Sequence, residues 1–218
     1  MQTKAQMIKE ILKSALGLFI FSIGVYLTIQ ADIGLAPWDC LSMGISGRVG
    51  YSYGIVHTAI SILILLIDVL LKEKIGYGTI LDALLVGNYV DLIDRIVTLP
   101  KFENLLINIL LVVIGLLIMG YGQYFYMDAA QGCGPRDSLL VALGKRFPRT
   151  PIGVVQTVMV GIALLIGWLL GGPVGIGTVI SVFVLGTALQ IVCRIMHFEP
   201  RNVVHKNVLE TNRILFQK

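Results

Sequence analysis

The chain has 218 residues, 56% of them apolar and only 14% charged, with a formal net charge of +4. A soluble domain carries about 25% charged residues, so this composition places the chain in the membrane class. No long basic run with interleaved aromatics occurs, and Cys40, Cys133 and Cys193 have no metal-ligand spacing. Nucleic-acid binding, a metal centre and a cofactor are therefore not expected.

Lys4, Lys9 and Lys13 give the chain a basic start, followed by an apolar stretch over 14–31 with no small-residue cleavage site at its end. We read residues 1–13 as a cytoplasmic segment and 14–31 as a retained first span. A spanning helix needs about 20 mostly apolar residues. Further stretches of that kind cover 53–71, 76–97, 105–127, 153–170 and 175–193. The last two belong to one uncharged run, which Gly171, Gly172 and Pro173 break into a turn.

The chain repeats itself. Gly24, Tyr26, Ala31, Gly34, Pro37, Asp39 and Leu41 recur 98 residues later as Gly122, Tyr124, Ala129, Gly132, Pro135, Asp137 and Leu139. After a slip of one residue, Gly54, Gly76, Gly87 and Arg95 recur as Gly153, Gly175, Gly186 and Arg194. Repeat 1 covers 14–98, repeat 2 covers 99–196, and 197–218 forms a cytoplasmic tail. Three spans per copy is an odd number, so the second copy is turned over. The expected fold is all-α and transmembrane. It has six spanning helices as two inverted three-helix repeats, each with a short extra helix after its first span. The lysines and arginines of 1–13, of the 72–74 connection, of 136–149 and of the tail then fall on one side. The positive-inside rule puts both termini in the cytoplasm of a multi-pass protein in a bacterial plasma membrane. In the tail, Val203, Val204, Leu209 and Ile214 are spaced as one face of a short amphipathic helix.

The connection after the first span has the same design in each repeat. It reads Gly34-Leu-Ala-Pro37-Trp38-Asp39 in the first and Gly132-Cys-Gly-Pro135-Arg136-Asp137 in the second. Pro opens a helix because its missing N–H is one that a first turn leaves unpaired, and Asp balances the positive helix end. The helices so started run from Pro37 to about Gly47 and from Pro135 to about Lys145, half a bilayer long. In one reading these two starts are solute sites, since helix N-termini bind anions and broken helices hold substrate in inverted-repeat transporters. Arg136 would add a forked donor for carboxylate or phosphate. In the other reading Asp39 and Asp137 are helix caps.

Polar residues also stand inside spans. Asn88, Asp91 and Arg95 share a stripe of the third span, and Thr187, Gln190 and Arg194 share the matching stripe of the sixth. As a path lining these would supply Asn88, Asp91 and Gln190. Otherwise Asp91 pairs with Arg95 four residues on, and the arginines anchor at headgroups. Asp82 reads as a residue near the helix start, at the cytoplasmic surface. Tyr26, Tyr124 and Trp38 lie close to the two turns and complete the candidate substrate-binding set of Asp39, Arg136, Asp137, Asn88, Asp91 and Gln190.

The segments "ADIGLAPWDCLSMGIS", "GYGTILDALLVGNYVD" and "GQYFYMDAAQGCGPRDSLLVALG" resemble the YczE/YyaS/YitT group of bacterial integral membrane proteins, and the YczE-like members most. The resemblance runs from about residue 11 to 196. It implies the membrane fold and carries no catalytic residues. The favoured function is alternating-access transport or export of a small anionic or zwitterionic solute. The alternatives are a substrate-binding membrane subunit of a multi-component transporter, or a lipid-handling or accessory membrane protein. Membrane lipids and the solute are the expected partners, with room for a homodimer or a partner subunit. No hydrolase or metalloprotease motif occurs, so an enzyme is not expected.

Overall fold

The computed structural model describes residues 3–200 and 203–216. Arg201 and Lys218, two of the cations of the tail, lie outside the described residues. The described residues form helices α1 (Lys4–Gln30), α2 (Pro37–Val49), α3 (Tyr53–Leu70), α4 (Tyr77–Ile96), α5 (Leu105–Asp128), α6 (Pro135–Arg146), α7 (Ile152–Leu169), α8 (Ile176–Ile195) and α9 (Val208–Phe216).

Helix starts follow local chemistry. Thr3 accepts the Gln6 amide and the Gln6 side chain accepts the Thr3 amide in return, so α1 begins ten residues before the apolar stretch. Ser52 and Asn104 cap α3 and α5 by their side chains. Pro37 and Pro135 open α2 and α6 as expected. In the tail, α9 begins at Val208, so Val203 and Val204 precede it.

Among the described residues, five helices are long and apolar enough to cross a membrane: α1, α3, α5, α7 and α8. The sixth expected span, α4, has the length but not the apolarity, because it carries Asp82, Asp91, Asp94 and Arg95. All three acids turn toward protein. Asp82 approaches Gly134, Asp91 accepts bonds from the start of α3, and Asp94 accepts from Gln30. The helix packs against both α1 and α3, which removes much of the penalty that lipid would impose.

The centre of the molecule is the crossing of α1 and α5. A Cβ on Gly24 would lie 2.4 Å from the Gly115 carbonyl oxygen, and one on Gly122 would lie 2.7 Å from that of Gly17. The two contacts run in opposite chain directions, so the helices are antiparallel, and only glycine permits so close an approach. Val25, Val112, Leu116 and Met119 fill the space beside them.

Contacts recur at matching positions of the two repeats. The Gly177 amide donates to the Ile33 carbonyl at 2.8 Å, and the Gly78 amide donates to the Gln131 carbonyl at 2.6 Å. Gly34 (φ +108°) faces Gly175, and Gly132 (φ +117°) faces Gly76. Each first-span turn thus docks on the start of the last helix of the other repeat, α8 or α4. Likewise α2 packs on α7 and α6 on α3.

The tail is tied down. Lys206 reaches Glu10 at 2.5 Å, the Lys206 amide donates to the Ala130 carbonyl, and Tyr77 donates to Asn212 at 2.7 Å. Beneath it the fully buried Gln131 donates to Glu10 and accepts from Thr211.

Candidate functional site

The starts of α2 and α6 meet through one side chain. Arg136, the second residue of α6, places its guanidinium 5.1 Å from the Trp38 ring, with Nη1 4.0 Å from Asp39 Oδ1. Trp38 and Arg136 occupy the same position in the two repeats, so the pair that differs most in sequence is the pair that touches. A guanidinium is weakly hydrated and planar, which suits it to an indole face and a carboxylate together.

Asp39 is the acidic residue in the first turn of α2. Its Oδ1 accepts the Tyr53 hydroxyl at 2.9 Å, and the residue is 3% exposed. No side-chain cap bond is present at Ala36 or at Gly134, the residues that precede the two prolines. Asp39 is therefore a buried partner for Tyr53 and Arg136. Beside it the His57 ring lies 5.5 Å from that of Tyr53, and its Nδ1 has no hydrogen-bond partner.

On the α6 side Asp82 joins the cluster. It sits in the second turn of α4 and points at the α6 start. A Cβ on Gly134 would lie 3.0 Å from Asp82 Oδ2 and 3.8 Å from Asp137 Oδ2. Tyr126 of α5 lies against Asp137. Asp82 is near the helix start as expected, but half-buried and beside the site. Cys133, in the turn before α6, is a thiol pushed up to about 12, first by burial and then by the neighbouring Asp137. It stays protonated and is a poor nucleophile.

Three carboxylates, Asp39, Asp82 and Asp137, thus surround one guanidinium. If all are ionised, two negative charges remain. Arg136 Nη2 is buried and has no acceptor, and a buried donor left unmade costs about 1–3 kcal/mol. The cluster offers an open donor next to an acidic pair.

The remaining expected residues lie elsewhere. Asp91 accepts the Gly54 amide at 2.8 Å and the Ser52 hydroxyl, so it holds the start of α3 and is not paired with Arg95. The first amides of α3 have no partner within their helix, and Asp91 takes one of them in place of Arg95. Asn88 is exposed and donates to the Leu84 carbonyl of its own helix. Gln190 is exposed on α8. Tyr26 is buried and donates to the Val97 carbonyl at 2.5 Å, which ties α1 to the end of α4. Tyr124 stacks edge-on against Phe125 and Phe198. The structure brings together Trp38, Asp39, Arg136 and Asp137 and leaves the others outside.

Tyr53 carries no signal in the sequence that points to the site, and Tyr126, beside the second turn, reads there as an interface anchor. A tyrosine at a span end ordinarily reads as an interface anchor, and only the fold shows these two facing inward. Asp68 was passed over too; it is fully buried in α3 and neither carboxylate oxygen has a donor.

A groove of about 420 Å³ opens beside the cluster between α2, α6 and α7, lined by Trp38, Leu41, Leu139, Leu143 and Met159 among others. Its walls are almost wholly apolar, and Trp38 is the residue it shares with the charged cluster.

Residues 8–194 match a family described as a family of unknown function, DUF6198. An uncharacterised protein of Haemophilus influenzae is 32% identical over 83% of each chain. The uncharacterised membrane protein YczE of Bacillus subtilis is 30% identical over 80% of each. The uncharacterised protein YyaS of the same organism is 31% identical over 86% of this chain and 94% of its own length. No solved structure matches.

Proposed function

This chain belongs to the DUF6198 family, and for it we propose alternating-access transport of a small zwitterionic solute across a bacterial plasma membrane, at a site where α2 and α6 meet. The observation that carries the reading is Arg136. It bridges both helix starts, keeps one buried N–H without an acceptor, and stands beside the Asp82–Asp137 pair. A carboxylate or phosphate on the solute would take the open donor, helped by the positive ends of two helices. An amine on the same solute would take the acidic pair. A purely anionic solute fits less well, because the cluster holds three carboxyl groups and one guanidinium.

The reciprocal docking of the two turns, and the antiparallel crossing of α1 and α5, support an inverted-repeat architecture with α4 as its sixth span. Inverted repeats place solute sites at the repeat interface, and Arg136 reaches from one repeat to the other. A membrane setting is supported by the five apolar helices and by a relative named as a membrane protein. The basic connections favour a cytoplasmic side for both termini. No nucleotide-binding loop occurs in the sequence, so the driving force would be an ion gradient, the solute gradient or a partner.

The test is a thermal-shift panel on the purified protein in detergent. It covers amino acids, other zwitterions, organic acids, amines, nucleobases and lipids. A ligand that binds only the folded state adds about 2.7 kcal/mol at a hundredfold excess over its Kd. A shift from a zwitterion that disappears in Arg136→Gln is the expected result. The apolar groove beside Trp38 favours a second reading, in which the protein handles lipid. A panel in which only lipids shift the protein would select that reading and reject the first.

A further inference from the structure

Matching residues of the two repeats are in unlike states. At the start of α3, Gly54 lies against Gly87 of α4. A Cβ on Gly54 would come within 2.3 Å of the Gly87 carbonyl oxygen, and one on Gly87 within 2.5 Å of that of Gly54. Asp91, one turn further along α4, seals this seam by accepting the Gly54 amide and the Ser52 hydroxyl. In repeat 2 the matching residues are Gly153, Gly186 and Gln190. A Cβ on Gly153 or on Gly186 meets no described atom within 4 Å, and Gln190 is exposed. The helices agree: α3 packs along α4, whereas α7 and α8 hardly touch. Access to the site divides the same way. Asp39, beneath the closed seam and tied to Tyr53 at its edge, is buried. Asp137, its counterpart, is exposed although Tyr126, Asp82 and Arg136 stand around it.

We infer that this structure is one of two conformations that exchange these roles. In the other, α8 closes on α7 through Gly153 and Gly186, Gln190 accepts the Gly153 amide as Asp91 accepts that of Gly54, and the α3–α4 seam opens to expose Asp39. The inference rests on the transport reading and names its gates. Both seams are written with the same residues at the same spacing: a glycine on each helix and an acceptor four residues after the second. Two glycines let helix backbones meet in a membrane, where close packing rather than water exclusion holds helices together. The repeats differ in the acceptor. A carboxylate takes an amide hydrogen bond more strongly than a neutral side-chain carbonyl does, so the Asp91 seam is the one closed at rest. In the orientation proposed above, the open seam faces the cytoplasm.

The experiment is disulfide trapping of the full chain in membranes, with Cys40, Cys133 and Cys193 replaced by alanine. The pair Pro151→Cys and Gln190→Cys occupies the positions of Ser52 and Asp91, whose side chains touch across the closed seam. We expect this pair to form a disulfide within one chain. Adding Asp91→Ala, which removes the acceptor of the other seam, should speed trapping several-fold. Gly87→Leu, which wedges that seam apart, is the second way to the same effect. Adding Gly186→Leu should slow trapping at least tenfold while leaving the folded protein as stable as before, because that position is open in this structure. Disulfides only between two copies would overturn the inference and mark α7–α8 as an interface between copies. Trapping indifferent to Gly186→Leu, or no trapping in any background, would overturn it as well. No solute enters this assay, so it separates from the transport reading. Trapping without any ligand in the thermal-shift panel sinks transport alone, and a ligand without trapping sinks the gates alone.

Discussion

The turn at 34–39 and the turn at 132–137 begin alike and end differently. Both place a glycine at positive φ, a proline at the helix start and an aspartate two residues on. In the first, the aspartate is buried under Tyr53. In the second, it is exposed beside Asp82. The difference shows that a repeated motif fixes where a helix begins, while its neighbours decide whether its side chains are structural or accessible.

The sharpest way to break this comparison is to remove the two carboxylates in turn. Asp39→Ala strands Arg136 and the Tyr53 hydroxyl. Breaking a fully buried pair costs about 3–5 kcal/mol, and because Arg136 is partly exposed we expect about 2–3 kcal/mol. Asp137→Ala should cost under about 1 kcal/mol, as is usual for an exposed group. Thermal unfolding of both variants in detergent measures the gap, and equal losses would erase the distinction drawn here.

The seams give the next effect. Gly87→Ala overpacks a backbone contact and should cost about 1–3 kcal/mol. Gly186→Ala enters open space in the middle of a helix and should be neutral or stabilising by up to about 1 kcal/mol. The same unfolding experiment reads both, and a loss in Gly186→Ala would show that α8 is packed there. Smaller again is Trp38→Leu. It removes the ring beneath Arg136, and an interaction of that kind is worth about 0.5–2 kcal/mol. A loss of only that size would place Trp38 as support for the guanidinium; a larger one would give it a wider role in the α2–α7 packing.

The smallest effect concerns the tail. Burial holds the His205 imidazole below its ordinary value of 6.5. A neutral buried histidine gives its full contribution above the unfolded pKa and loses it as the pH falls from about 6.5 toward the folded value, because the unfolded form binds the proton more readily. Amide exchange in α9 should therefore quicken on acidification below about pH 6.5, and His205→Gln should flatten that response.

Much of this was legible in the residues. Pro37 and Pro135 marked the starts of α2 and α6, because no other residue both lacks an N–H and fixes φ for a first turn. Of the glycines at 24, 87, 122 and 186, all of a kind that lets helices pack closely, the first three meet a backbone and Gly186 meets no described atom; that Gly24 meets Gly115, or that Gly87 meets Gly54, depends on how whole helices cross. Asp91 shows the limit. Its spacing to Arg95 gave a pairing that i and i+4 geometry allows, but free amides at the start of α3 lay within reach and a carboxylate prefers them. Gln190 and Asn88 share stripes with charged residues, yet stripes say only which way a side chain leaves its helix, not what stands there.

By itself, the sequence determined the membrane class, the helical content, the repeat and the two proline-started helices. These depend on local composition and on backbone chemistry that each residue carries with it. Only the tertiary structure decided that Trp38 and Arg136 touch, that Tyr53 and Asp82 belong to the site, and that one seam is shut while its counterpart is open. Those outcomes turn on which backbones approach within a hydrogen bond's length, and that is set by the packing of helices far apart in the chain.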